Sequence, residues 1–120
     1  MPSSTSRTDV SFHLPLHPSD YLILLSLVRE DLHGYGILKA ISMDGAREAS
    51  IDPGNLYRRL HKMLNAAWVE RNQTKDSKDD RRRSYRLTEL GRRVAHAETA
   101  RLRRLVESQA ARSLSAEMMS

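Results

Sequence analysis

The stretch from Asp52 to Ala67 constrains the fold more than any other part of the chain. Asp52-Pro53-Gly54-Asn55 opens a helix: an Asp side chain accepts one of the orphan N–H groups of a first turn, and proline fits the first helical position, where its missing N–H is not needed. Downstream, Leu56, Leu60, Met63, Leu64 and Ala67 return at offsets of 4, 7, 8 and 11, a single apolar face at the helical period. Asn55, Arg58, Arg59 and Lys62, at offsets of 3, 4 and 7, form a second face that is polar and cationic. A helix built this way lays one side on a core and holds the other side out.

The neighbouring segments supply that core. Ser19 reads as an N-cap with Asp20 in the first turn of a nearly all-apolar helix from Tyr21 to Arg29, central to the packing. Asp31-Leu32-His33-Gly34 breaks it, with His33 as a turn or capping residue. A second short helix then carries Ile37, Leu38 and Ile41 on one side and stops near Asp44-Gly45, a left-handed exit. From Trp68 the pattern changes. Val69, then Tyr85 and Leu87 across a charged stretch, fit two short strands flanking a mobile loop, a hairpin with a charged tip. Thr88 caps a long last helix with an apolar stripe of Leu90, Val94, Ala97, Leu102 and Leu105, longer than a small three-helix core can use. A second copy of the chain is the expected cover for it.

These elements divide the chain into an N-terminal arm over residues 1–18, a helical and hairpin body over 19–88, a dimerisation helix over 89–111 and a frayed tail over 112–120. Within the arm, His13-Leu14-Pro15-Leu16-His17-Pro18 reads as an extended strap whose leucines pack on a neighbour. At 120 residues the chain has room for one compact domain, which leaves no place for a multi-domain enzyme. Without cysteine it has no disulfide framework, thiolate metal site or thiol nucleophile. A reducing cytoplasm suits it, and no apolar run approaches the length of a membrane span. No nucleophile elbow or phosphate-cradling glycine loop is present, and no paired carboxylates are evident within one motif, so neither catalysis nor a cofactor is expected. The five histidines lack paired ligand spacing on one helix, so no metal site is expected either.

Charge points to the partner. The chain carries a formal net charge of +5, but Pro53 to Arg93 alone holds 12 basic and 5 acidic residues, net +7. A localised positive field of this kind is the electrostatic footprint of nucleic-acid binding. The order helix, helix, helix, hairpin, helix is that of a winged helix-turn-helix, mainly α with a small β-hairpin. In that architecture the third helix enters the major groove of duplex DNA.

Three motifs carry a family resemblance: His33-Gly34-Tyr35-Gly36-Ile37; then Pro53-Gly54-Asn55-Leu56-Tyr57-Arg58-Arg59-Leu60; then Arg82-Arg83-Ser84-Tyr85-Arg86-Leu87-Thr88-Glu89-Leu90-Gly91. Their order and spacing, over about Tyr21 to Val106, resemble the PadR family of transcription regulators. The resemblance implies a winged-helix homodimer, usually a repressor, joined mainly through the last helix. The chain has Asn55 where the family usually has Thr, which shifts the expected operator, and Ala67 where it usually has Gly. A left-handed residue at Ala67 would be strained.

Each candidate residue has a functional reading beside a structural one. Asn55, Arg58, Arg59 and Lys62 are read as major-groove contacts, Arg suited to guanine and Lys to phosphate, against a solvated helix face. Arg81, Arg82 and Arg83 are read as a wing gripping backbone or minor groove, against a solubilising loop. Tyr35 and Tyr57 serve equally as phosphate contacts or packing residues, and Tyr85 packs in the wing. Leu90, Val94, Leu102 and Leu105 are assigned to the dimer seam. Trp68 is read as core, with the resemblance adding a second role in lining a small-molecule effector pocket. A rival to the DNA reading is a winged-helix module whose charged face docks an acidic protein.

Overall fold

The computed structural model describes residues 10–43, 51–72 and 84–119. After a 3-10 turn at Ser11–His13 come α1 (Pro18–Ser26), α2 (Gly34–Met43), α3 (Pro53–Asn65), β1 (Val69–Asn72), β2 (Ser84–Leu87), α4 (Glu89–Val106) and α5 (Gln109–Met119). The strands pair antiparallel with Val69 opposite Leu87 and Asn72 opposite Ser84. Leu32, in the link between α1 and α2, adds a bridge to the outer side of β2: its N–H donates to the Tyr85 carbonyl at 3.1 Å, and Tyr85 N–H returns a bond at 2.8 Å. The wing is therefore stitched to the helical body along its inner edge.

The core lies where α1, α2, α3 and the first half of α4 converge. Ile23, Leu24, Ile37, Leu56, Leu60, Met63, Val69 and Val94 are all fully buried in it. Two helix starts are built as their sequences demand. Asp52 accepts the Asn55 N–H at 2.9 Å with Pro53 in the first turn, and Thr88 accepts the Gly91 N–H at 2.9 Å. His33 Nδ1 similarly accepts the Gly36 N–H at 3.2 Å where α2 begins.

Four expectations change. First, α1 begins at Pro18, not after Ser19: His17 is the N-cap, its Nδ1 accepting the Ser19 N–H at 3.1 Å. It also ends at Ser26, because the Leu27 and Val28 N–H groups turn back to the carbonyls of Leu24 and Leu25 in a tightened last turn. Second, residues 10–17 are not a free arm. Val10 and Leu16 are buried in the core of their own chain, so the strap packs within the molecule. Third, the tail beyond Ala111 is helical. The last helix breaks at Glu107 and Ser108, and Ser108 Oγ then accepts the Ala111 N–H at 3.2 Å, opening α5 as a fresh N-cap. Fourth, Val94 lies inside the core of its own chain and is unavailable to a dimer seam. The expected stop at Asp44-Gly45 lies outside the described residues.

The turn into the wing is made by Ala67 at φ +62°, the left-handed region disfavoured for any residue with a Cβ. The conformation is held from both sides. Trp68 N–H donates to the Met63 carbonyl at 3.0 Å, and Thr88 donates its N–H to the Trp68 carbonyl at 3.1 Å. A Cβ on Gly91 would lie 1.9 Å from that same carbonyl oxygen. The start of α4 is thus pressed directly onto the backbone at Trp68, and only glycine fits there.

Candidate nucleic-acid interface

The polar face of α3 is divided by its partners. Arg58 is exposed and its guanidinium donates to the Asn55 carboxamide oxygen, so the two side chains form one polar pair one turn apart. Lys62 extends into solvent with its side chain 69% exposed. Arg59 turns the other way: its side chain is only 19% exposed, and Nη1 donates to Asp20 Oδ1 at 2.9 Å. Its second terminal nitrogen lies 3.3 Å from His17 Nε2. The groove-contact assignment of Arg59 is corrected on this geometry, because its guanidinium is committed to a carboxylate inside the protein.

The tyrosines separate as well. Tyr57, at the first turn of α3, reaches the start of α2, where a Cβ on Gly34 would lie 2.4 Å from its hydroxyl. It packs there while remaining half exposed. Tyr35, the next residue after Gly34 in α2, is 72% exposed. In the wing, Tyr85 is buried, and Arg86 donates to Glu70 at 2.7 Å across the register on the outer face. Arg81, Arg82 and Arg83 lie outside the described residues.

Trp68 is 6% exposed and meets the His13 ring edge-on at 5.6 Å. That geometry supports the packing role. Its indole N–H is buried without a hydrogen-bond partner among the described residues. Among the described residues no cluster of three or more His, Asp or Glu could hold a metal ion, and no helix is long and apolar enough to cross a membrane.

On α4, Leu90 and Leu102 are half-buried and Leu105 is 54% exposed. A second buried carboxylate sits beside them. Glu98 is 2% exposed; it accepts Arg101 Nε at 2.6 Å, Arg101 Nη2 at 3.0 Å and the Leu16 N–H at 3.0 Å. The Arg101 guanidinium holds the Glu98 carboxyl below its ordinary range; burial opposes that shift and the Leu16 N–H adds to it. Sequence reasoning missed both Asp20 and Glu98. Asp20 reads as a first-turn residue complementing the helix dipole, and nothing local signals its burial. Glu98 has an arginine three residues on and a position beside the apolar stripe, two features that a surface glutamate shares.

The transcriptional regulator PadR-like family matches residues 23–97, from within α1 to the middle of α4. The chain belongs to this family. Its fold recurs in solved structures. A PadR family transcription regulator from Clostridium difficile is 22% identical with a TM-score of 0.62, over 87% of this chain and 100% of that one. RosR from H. salinarum is 22% identical with a TM-score of 0.62, over 89% of this chain and 93% of the other. PadR from Bacillus subtilis, solved in complex with operator DNA, is 23% identical with a TM-score of 0.60, over 69% of this chain and 46% of that protein. No curated protein matches the chain.

Proposed function

We propose that this PadR-like regulator binds a promoter operator as a homodimer and represses transcription from it, with α3 in the major groove and the hairpin on the flanking backbone. The observation that carries the reading is the outward face of α3, where Arg58 and Lys62 are exposed and Arg58 is tied to the half-buried Asn55. Arg58, oriented by Asn55, has the planar donor pair that recognises guanine O6 and N7, while Lys62 suits phosphate. The operator complex of Bacillus subtilis PadR supports a DNA role for the shared fold. The exposed Leu105, Val106, Leu114 and Met118 at the end of the molecule support a partner copy there.

The experiment is a salt titration of binding to an operator selected from a genomic library. Log affinity is expected to fall linearly with log salt, by about 0.9 for each phosphate neutralised. Affinity that does not respond to salt, or no enrichment of any genomic fragment, overturns the proposal. A promoter reporter then tests the direction of control, and expression that rises when the protein is supplied would overturn repression.

A further inference from the structure

At one corner of the molecule the start of α1 is tied to α3 through a carboxylate that duplex DNA never needs to touch. Asp20 stands in the first turn of α1 and is 3% exposed. It faces α3: Oδ1 receives Arg59 Nη1 at 2.9 Å and Oδ2 lies 3.9 Å from Lys62 Nζ. His17, the cap of the same helix, places Nε2 3.3 Å from the other Arg59 nitrogen. On the far side of this segment, the Leu16 N–H is bound to Glu98 at 3.0 Å and the Tyr21 hydroxyl lies 2.7 Å from Thr99 Oγ1, both on α4. Residues 16–21 thus join α3 to α4. A buried carboxylate incurs a desolvation cost that a merely solvated basic stripe does not require.

We propose that Asp20 is a positioning residue that sets DNA specificity: it withdraws Arg59 from the cationic face of α3 and leaves Arg58 and Lys62 to meet the groove. The inference rests on the DNA-binding reading above. Of the three cations on the stripe, Arg59 then neutralises no phosphate. Removing the Asp20 charge frees Arg59 toward the groove as a cation blind to sequence. It also loosens the seat that fixes the angle of α3 on α1.

The test uses the full chain and two duplexes of equal length, the selected operator and a randomised one, each titrated with salt. Asp20→Asn, which keeps the shape, should steepen the slope by about 0.9, the value of one added phosphate contact. It should also narrow the preference for operator over random duplex by at least about tenfold, the worth of one good base contact. Arg58→Met should flatten the slope by about 0.9, whereas Arg59→Met should leave it at the parent value. Where Arg59→Met alone does not fold, Asp20→Asn with Arg59→Met removes both charges together, and this double variant should also keep the parent slope. Flattening by Arg59→Met or by the double variant, equal to that of Arg58→Met, overturns the proposal. So does an Asp20→Asn variant with parent slope and parent preference. A parent chain that binds neither duplex overturns the DNA reading and the proposal with it, an outcome distinct from the others.

Discussion

Ala67 is a residue in the wrong conformation for its type, and the molecule accepts it because the turn into Trp68 has no alternative. At φ +62° its Cβ crowds the backbone, and glycine at that position would relieve the crowding at the cost of a looser unfolded chain. Ala67→Gly is expected to stabilise the fold by about 0.5–1 kcal/mol, seen as a higher urea midpoint with unchanged slope; an unchanged or lower midpoint would refute the strain. Glu98 gives a second prediction with a definite sign. Its carboxyl is held below the ordinary value of 4.5 chiefly by Arg101. The stability it contributes is therefore full above that value and is lost as pH falls through the depressed one. Glu98→Gln should cost about 1–2 kcal/mol near neutral pH, and the gap between variant and parent should close in acid. A gap constant from neutral to acid pH would show that the charge contributes nothing. Neither carboxylate's burial was legible in sequence, because an acidic residue near a helix start or one turn from an arginine reads equally well as a surface group. Burial is decided by which element packs opposite, and the 39 positions between Asp20 and Arg59 hide that.

At the scale of elements, the legible features were those whose physics is local. The Asp52-Pro53 start of α3, the Thr88 cap of α4 and the alternation of Val69, Tyr85 and Leu87 each depend on a few adjacent residues, and each stands where it was expected. The strap was misjudged because Val10 and Leu16 acquire meaning only against α4 and the core. Under the proposed DNA reading, α3 and the wing would contribute differently. Arg58 sits on α3 with its guanidinium tied to Asn55, and under the proposed DNA reading that fixed donor pair would read one position. For Arg81, Arg82 and Arg83, outside the described residues, the proposal is a grip on backbone phosphate. Arg58→Ala should therefore cost about 1–3 kcal/mol and relax preference at one operator position. Arg82→Ala should weaken all sequences about equally. Selection on randomised operators measures both, and identical selectivity profiles for the two variants would show the division of labour to be wrong.

At the scale of the whole molecule, the apolar stripe that begins on α4 serves two surfaces. Its first half, with Val94 fully buried and Leu90 half-buried, closes the core, so a charge at Val94 would unfold the protein without informing on assembly. Beyond the core, Leu105 and Val106 at the end of α4 are 54% and 66% exposed, and Leu114 and Met118 on α5 are 59% and 80% exposed, at the end of a molecule whose extents are 56 × 43 × 22 Å. Apolar groups gathered in this way are what a partner copy covers. Twofold pairing through them would set two α3 helices about one DNA turn, roughly 34 Å, apart and turn two weak half-site contacts into one strong one. Leu105→Glu with Leu114→Glu places like charges in that seam while leaving every fully buried residue in place. The variant should fold with parental helicity, sediment as a monomer and bind a single half-site as the parent does. On the full operator it should lose about 10²-fold in affinity, the contribution of linking the two sites. A double variant that still sediments as a dimer, or a monomer that holds the full operator as tightly as the parent, would place the dimer contact elsewhere on the chain.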